Sequence, residues 1–170
     1  MKLVLTGALG HIGSFLIRGL PNIFPDCKIV ILDNFATQRY ASLFGLPTTA
    51  TYELVDIDVS KVSVDSHLKG ADCVIHLAAL TDAVSSFGRE QLIEQVNLGA
   101  TKNVAAAAAK MRAPVIFASS TSVYGTTNGS VDESCKMSDL KPQSPYAVTK
   151  LKEETFISNQ VVDAGLNASI

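Results

Sequence analysis

No stretch constrains this chain more than residues 3–13, LVLTGALGHIG. Leu3, Val4 and Leu5 have the composition of a buried strand, Gly7, Gly10 and Gly13 follow at three-residue spacing, and Ser14-Phe15-Leu16-Ile17 then opens a helix. A phosphate sits on a helix N-terminus only where unpaired backbone N–H groups face it and no Cβ blocks the approach, and glycine meets both conditions. The pattern predicts a strand, a glycine turn and a helix, with the three glycines serving a tight turn, close approach to a pyrophosphate and packing of helix on strand. Gly7, Gly10 and Gly13 are therefore candidate dinucleotide-binding residues, although a glycine triplet alone also fits a plain turn.

The next requirement is a carboxylate at the end of the second strand, about 20 residues on. Residues 28–32, KIVIL, read as that strand and Asp33 ends it. A carboxylate there accepts hydrogen bonds from both adenosine ribose hydroxyls and repels a 2′-phosphate, which favours NAD over NADP. The alternative for Asp33 is a turn-forming Asp-Asn pair with Asn34.

The rest of the composition sets bounds. With 170 residues, 47% of them apolar, the chain can bury the core of one domain. A net charge of -2 gives no footprint for nucleic acid. Cys27, Cys73 and Cys135 lie far apart without metal-ligand spacing, so no metal site is expected and the thiols read as reduced, in a cytoplasmic protein. His11 and Arg18 interrupt the apolar N-terminal run, which lacks a cleavage site, and no later run is long enough to span a bilayer.

In chain order, the first helix is expected over residues 11–20, ending at Pro21. Residues 34–51 read as a polar loop with at most one short helix; Arg39 within it either reaches a phosphate or is solvated. A third strand over residues 52–55 delivers Asp56-Ile57-Asp58: Asp56 is placed to accept from an adenine amino group, Ile57 to pack on the ring, and Asp58 to cap the turn that follows. Residues 73–77, CVIHL, form a fourth strand followed by Ala78-Ala79, whose small size lets a cofactor lie against the strand end; His76 reads as a structural histidine.

A long helix is expected over residues 86–111, burying a face with Leu92, Val96, Ala100 and Val104, and Asn97 inside it calls for a side-chain hydrogen bond to a neighbouring loop. A fifth strand, residues 114–118, delivers the hydroxyls of Ser119, Ser120, Thr121 and Ser122. The loop over residues 124–144 is long enough to bind a ligand. Pro145 then starts a helix that carries Tyr146 and Lys150 on one face, and residues 167–170 begin a sixth strand.

A phenol has a reference pKa of about 10, and moving it to about 7 takes roughly 4 kcal/mol of extra phenolate stabilisation. A lysine ammonium one turn away and a cationic nicotinamide supply charge of the right sign. With Ser120 bonded to the same substrate oxygen, Tyr146 takes the proton of a secondary alcohol while the nicotinamide takes the hydride. Taken alone, Tyr146 and Lys150 also fit an exposed helix face and the serines a turn; the glycine loop and Asp33 tip the combination towards chemistry.

The stretches TGALGHIGS, ILDNF, VDIDV, HLAALTDA, VNLGAT, SSTSVYG and SPYAVTK occur in an order and spacing that resembles the NAD-dependent epimerase/dehydratase family of extended short-chain dehydrogenases/reductases, and most closely its UDP-glucose 4-epimerase-like members. The resemblance covers essentially all of the chain. It implies a Rossmann-type doubly wound parallel sheet with helices on both faces. Tyr146 would be the catalytic base, Lys150 its activator and ribose ligand, and Ser120 its hydroxyl partner. Gly7, Gly10, His11, Ile12, Gly13, Asp33, Asn34, Asp56, Ile57, Leu77, Ala78, Ala79 and Thr81, with Tyr146 and Lys150, would surround NAD.

It also implies a nucleoside-diphosphate sugar, most simply a UDP-sugar, as substrate, and a homodimer formed through the helices carrying Asn97 and Tyr146. Two departures stand out. Family dehydratases carry Asp-Glu where this chain has Thr121 and Ser122, which argues against water elimination. The chain also stops as the sixth strand begins, so residues 1–170 are expected to be the NAD-binding domain without the C-terminal substrate domain. A keto-sugar or carbonyl reductase of the same family, and a non-catalytic dinucleotide-binding module, are the competing readings.

Overall fold

The computed structural model describes residues 1–81, 86–126 and 129–170. Six strands form one parallel sheet in the order β3-β2-β1-β4-β5-β6: β1 (Lys2–Thr6), β2 (Lys28–Asp33), β3 (Thr51–Asp56), β4 (Cys73–His76), β5 (Val115–Phe117) and β6 (Ala168–Ser169). The order reverses direction at β1, with Thr6 in register with Leu32 on one side and His76 on the other. That reversal opens the crevice in which doubly wound sheets bind ligands.

Successive residues of a strand point to opposite faces, and the core divides accordingly. Leu3, Leu5, Ile29 and Ile31 pack with Ile17 of α1 (His11–Ile23) on one face. Val4, Val30, Leu32, Val74 and Phe117 pack on the other, beneath α3 (Glu90–Met111) and α4 (Pro145–Ala164). A short α2 (Asp65–Leu68) precedes β4. Among the described residues no helix is long and apolar enough to cross a membrane, and no cluster of His, Cys, Asp or Glu could hold a metal ion.

Three details depart from the sequence expectation. Pro21 does not end α1 but lies inside it, buried, and the helix runs on to Ile23. Proline removes the N–H that would reach the carbonyl four residues back, at Ile17. The Tyr52 hydroxyl donates to that carbonyl instead, at 3.1 Å, so the acceptor is satisfied and the helix continues. The second departure is in α3, which starts at Glu90, not residue 86, and buries Ile93, Asn97, Ala100, Thr101, Val104 and Ala108. Leu92 lies off that face, 42% exposed. The third is α2, which no pattern in the sequence predicts.

Asn97 behaves as expected: its amide accepts from Leu80 N at 2.8 Å and donates to Leu80 O at 3.0 Å, tying the loop after β4 to α3. At the start of α4 the Ser144 hydroxyl accepts from Ala147 N at 3.1 Å and Pro145 takes the first position. Asp82 and Ala83 of the LTDA motif, and residues 127–128 of the expected binding loop, lie outside the described residues.

Candidate active site

A cleft of about 520 Å³ opens at the carboxyl ends of the strands. Gly7 and Gly13 show why the first turn needs glycine. Gly7 has φ +64°, and a Cβ on it would lie 2.7 Å from Ala78 Cα, so β1 could not turn beside β4. A Cβ on Gly13 would lie 2.5 Å from the Ala8 carbonyl oxygen, prising α1 off the turn. We expect Gly13→Ala to cost about 1–3 kcal/mol. Thermal unfolding should show it as about 2–4 °C per kcal/mol.

Gly10 borders the cleft, and a Cβ there would meet only the Gly7 carbonyl, 3.2 Å away. His11, Ile12 and Gly13, the first turn of α1, line the cleft with it. First-turn N–H groups have no partner within a helix, so this end is built to take an anion.

Asp33 is 9% exposed, and its two carboxylate oxygens accept from Leu9 N at 3.0 Å and Phe35 N at 2.9 Å. The turn-forming and ligand-binding readings therefore coexist: the carboxylate clamps the glycine turn to β2, and each oxygen keeps acceptor capacity for a ribose hydroxyl. Asn34, whose side chain accepts from Ala36 N, and Arg39 border the same end of the cleft. Leu77, Ala78, Ala79, Thr81 and Ile57 line it as well. Asp56 is exposed at the end of β3 and does not line the cleft. Asp58 and Ser60 do, with the Asp58 carboxylate accepting from the Ser60 hydroxyl at 2.6 Å and capping the turn as expected.

Tyr146 and Lys150 reach the opposite end of the cleft from α4, 8% and 4% exposed. Ser120 does not line it. Its hydroxyl is 2.8 Å from that of Ser122 and hydrogen-bonds the Tyr146 phenol, while Ser119 borders the cleft and donates to Glu154. The constellation of Ser120, Tyr146 and Lys150 is thus assembled, but its electrostatics differ from the sequence expectation. Burial, chiefly, raises the pKa of the Tyr146 phenol above its ordinary value, the Ser120 hydrogen bond works against this, and the Glu153 carboxylate raises it further.

The Lys150 ammonium is held by three other groups. It donates to Ala118 O at 3.1 Å, lies 3.1 Å from Glu153 Oε2 and sits 4.6 Å from the centre of the Phe117 ring. Glu153, fully buried, is a residue the sequence reading missed. His76 is structural, as expected, bonded through both ring nitrogens to Thr6 and Thr101. Burial first, and the Lys150 charge second, push its pKa down to about 3.

The model of the NAD dependent epimerase/dehydratase family matches residues 3–170. The chain belongs to that family. Relatives that resemble it include the uncharacterized UDP-glucose epimerase YtcB of Bacillus subtilis, 31% identical over 91% of this chain and 50% of YtcB. The human dTDP-D-glucose 4,6-dehydratase is 31% identical over 93% of this chain and 46% of its own length.

Among solved structures, the UDP-glucuronic acid 4-epimerase of Bacillus cereus, in complex with UDP-glucuronic acid and NAD, superposes with a TM-score of 0.85 at 29% identity, over 100% of this chain and 55% of the epimerase. The chain spans about half the length of these relatives. The family and these neighbours are NAD-dependent nucleotide-sugar epimerases and dehydratases.

Proposed function

We propose that the chain is the NAD-binding and catalytic half of a nucleotide-sugar epimerase that acts on a UDP-sugar. The observation that carries this reading is the convergence on one cleft of the glycine turn, Asp33, Tyr146 and Lys150. The residues fit NAD: Gly10 puts no side chain into the space before the first turn of α1, and Asp33 holds acceptors at the end of β2 where an adenosine ribose would lie. NAD, when bound, supplies a hydride acceptor that can return what it takes.

The protein's own residues manage the proton. Tyr146, buried and held by Ser120, is placed to remove it from a sugar hydroxyl and later give it back. Lys150, fixed by the Ala118 carbonyl, supplies positive charge beside it. Epimerisation is favoured over dehydration because elimination needs a further acid, and the hydroxyls of exposed Thr121 and half-buried Ser122 stand where a dehydratase has carboxylates. The exposed apolar residues Leu92 on α3 and Val148 on α4 suit a homodimer through these two helices.

The test is incubation of the protein with UDP-glucose, UDP-N-acetylglucosamine and UDP-glucuronic acid, with products read by NMR. Conversion to the 4-epimer without net NADH supports the reading. A 4-keto-6-deoxy product would make the protein a dehydratase, and stoichiometric NADH a dehydrogenase.

A further inference from the structure

The residue that stands out beyond the proposed catalytic set is Glu153. Positions 146, 150 and 153 share one face of α4, and Glu153 lies on it with no exposure to solvent. Burying a carboxylate is costly unless it is paired. Oε1 accepts from the Thr101 hydroxyl at 2.5 Å, whereas Oε2 accepts no hydrogen bond and faces Lys150 Nζ at 3.1 Å as a bare charge contact.

The bonds behind Glu153 fix the direction in which its neighbours donate. Leu77 N and Ala78 N both donate to the Thr6 hydroxyl oxygen, at 3.2 Å each, so the Thr6 proton goes to His76 Nδ1 at 2.7 Å. His76 then carries its proton on Nε2, 3.1 Å from Thr101, and the Thr101 proton is left for Glu153. The chain of donors is complete with a neutral His76. It runs from Leu77 and Ala78 in the lining of the cleft to the lysine beside the phenol.

We propose that Glu153 is a positioning residue for the Tyr146–Lys150 pair: its carboxylate holds the Lys150 ammonium and offsets its charge, so that without dinucleotide the Tyr146 phenol stays protonated. Among the described residues, β4 contributes His76, the turn after β5 contributes Ser120, α3 contributes Thr101, and the segment before α3 contributes Ser86, whose hydroxyl accepts from Tyr146 N; Glu154, the next carboxylate on α4, is engaged by Ser119. The proposal rests on Tyr146 being the base.

The test reads the phenol directly. In protein labelled with ¹³C at tyrosine Cζ, the Tyr146 resonance, assigned by its loss in Tyr146→Phe, is followed from pH 7 to 11 without dinucleotide. Glu153→Gln keeps the acceptor for Thr101 and removes the charge. Its Tyr146 is expected to ionise about one pH unit earlier than in the parent. Ionisation at the same pH or later overturns the proposal. Should Glu153→Gln fail to fold, Lys150→Met is compared with the double variant Lys150→Met, Glu153→Gln: an earlier midpoint in the double variant supports the proposal, and equal midpoints overturn it. Because the titration needs no turnover, a missing shift counts against Glu153, whereas missing sugar conversion counts against the epimerase reading.

Discussion

Tyr146→Phe is expected to slow conversion of the UDP-sugar by about 10²–10⁴-fold, the usual worth of a positioned acid–base group. The side chain is 8% exposed, so its ring stays packed and only the hydroxyl and its bond to Ser120 are lost. NAD affinity should therefore be unchanged, and the fall should appear in kcat and kcat/KM together. Steady-state rates by NMR, with NAD binding measured in parallel, check this. A variant turning over at the parent rate would remove Tyr146 from the chemistry, and one that loses NAD binding would show that its hydroxyl, and not the ring alone, holds the cofactor.

The second large effect concerns acid. His76 is buried and neutral with a pKa of about 3, against an ordinary value of 6.5. Above pH 6.5 neither the folded nor the unfolded form binds this proton, and the contribution to stability is complete. Below it the unfolded chain takes up the proton and the folded one does not, so stability falls as pH falls, until the folded pKa is reached. The slope is about 1.4 kcal/mol per pH unit, and the whole window from pH 6.5 to about 3 amounts to about 5 kcal/mol. Urea unfolding between pH 7 and 4 should show this slope, and His76→Gln, which has no proton to gain, should flatten it by one proton's worth. Equal slopes in the two proteins would show that His76 titrates normally.

What the sequence made legible follows from how local the causes are. The glycine turn, Asp33 and the Tyr146-Lys150 spacing are each set by a few adjacent residues, and the structure brings them to one cleft. Asn97 was readable for the same reason, as a residue out of place in a helix whose side chain needs a partner. Pro21 was misread because the Tyr52 hydroxyl that relieves Ile17 arrives from β3, 35 residues away. Leu92 was placed on the buried face by counting in fours, where the true face steps by threes and fours through Ile93, Asn97 and Ala100. Glu153 carried no signal of its own: a glutamate late in a helix reads as a solvated charge until Thr101, from α3, and Lys150 are seen around it.

The central claim, that the glycine turn and Asp33 form an NAD site, is tested most directly by thermal unfolding of the protein titrated with NAD and with NADP. A ligand at 100 times its Kd adds about 2.7 kcal/mol to stability, so NAD should raise the midpoint by about 5–10 °C. NADP, with its 2′-phosphate against the Asp33 carboxylate, should not, and Asp33→Ala should abolish the difference. A midpoint that neither dinucleotide moves, or that NADP moves as far as NAD, would contradict the account.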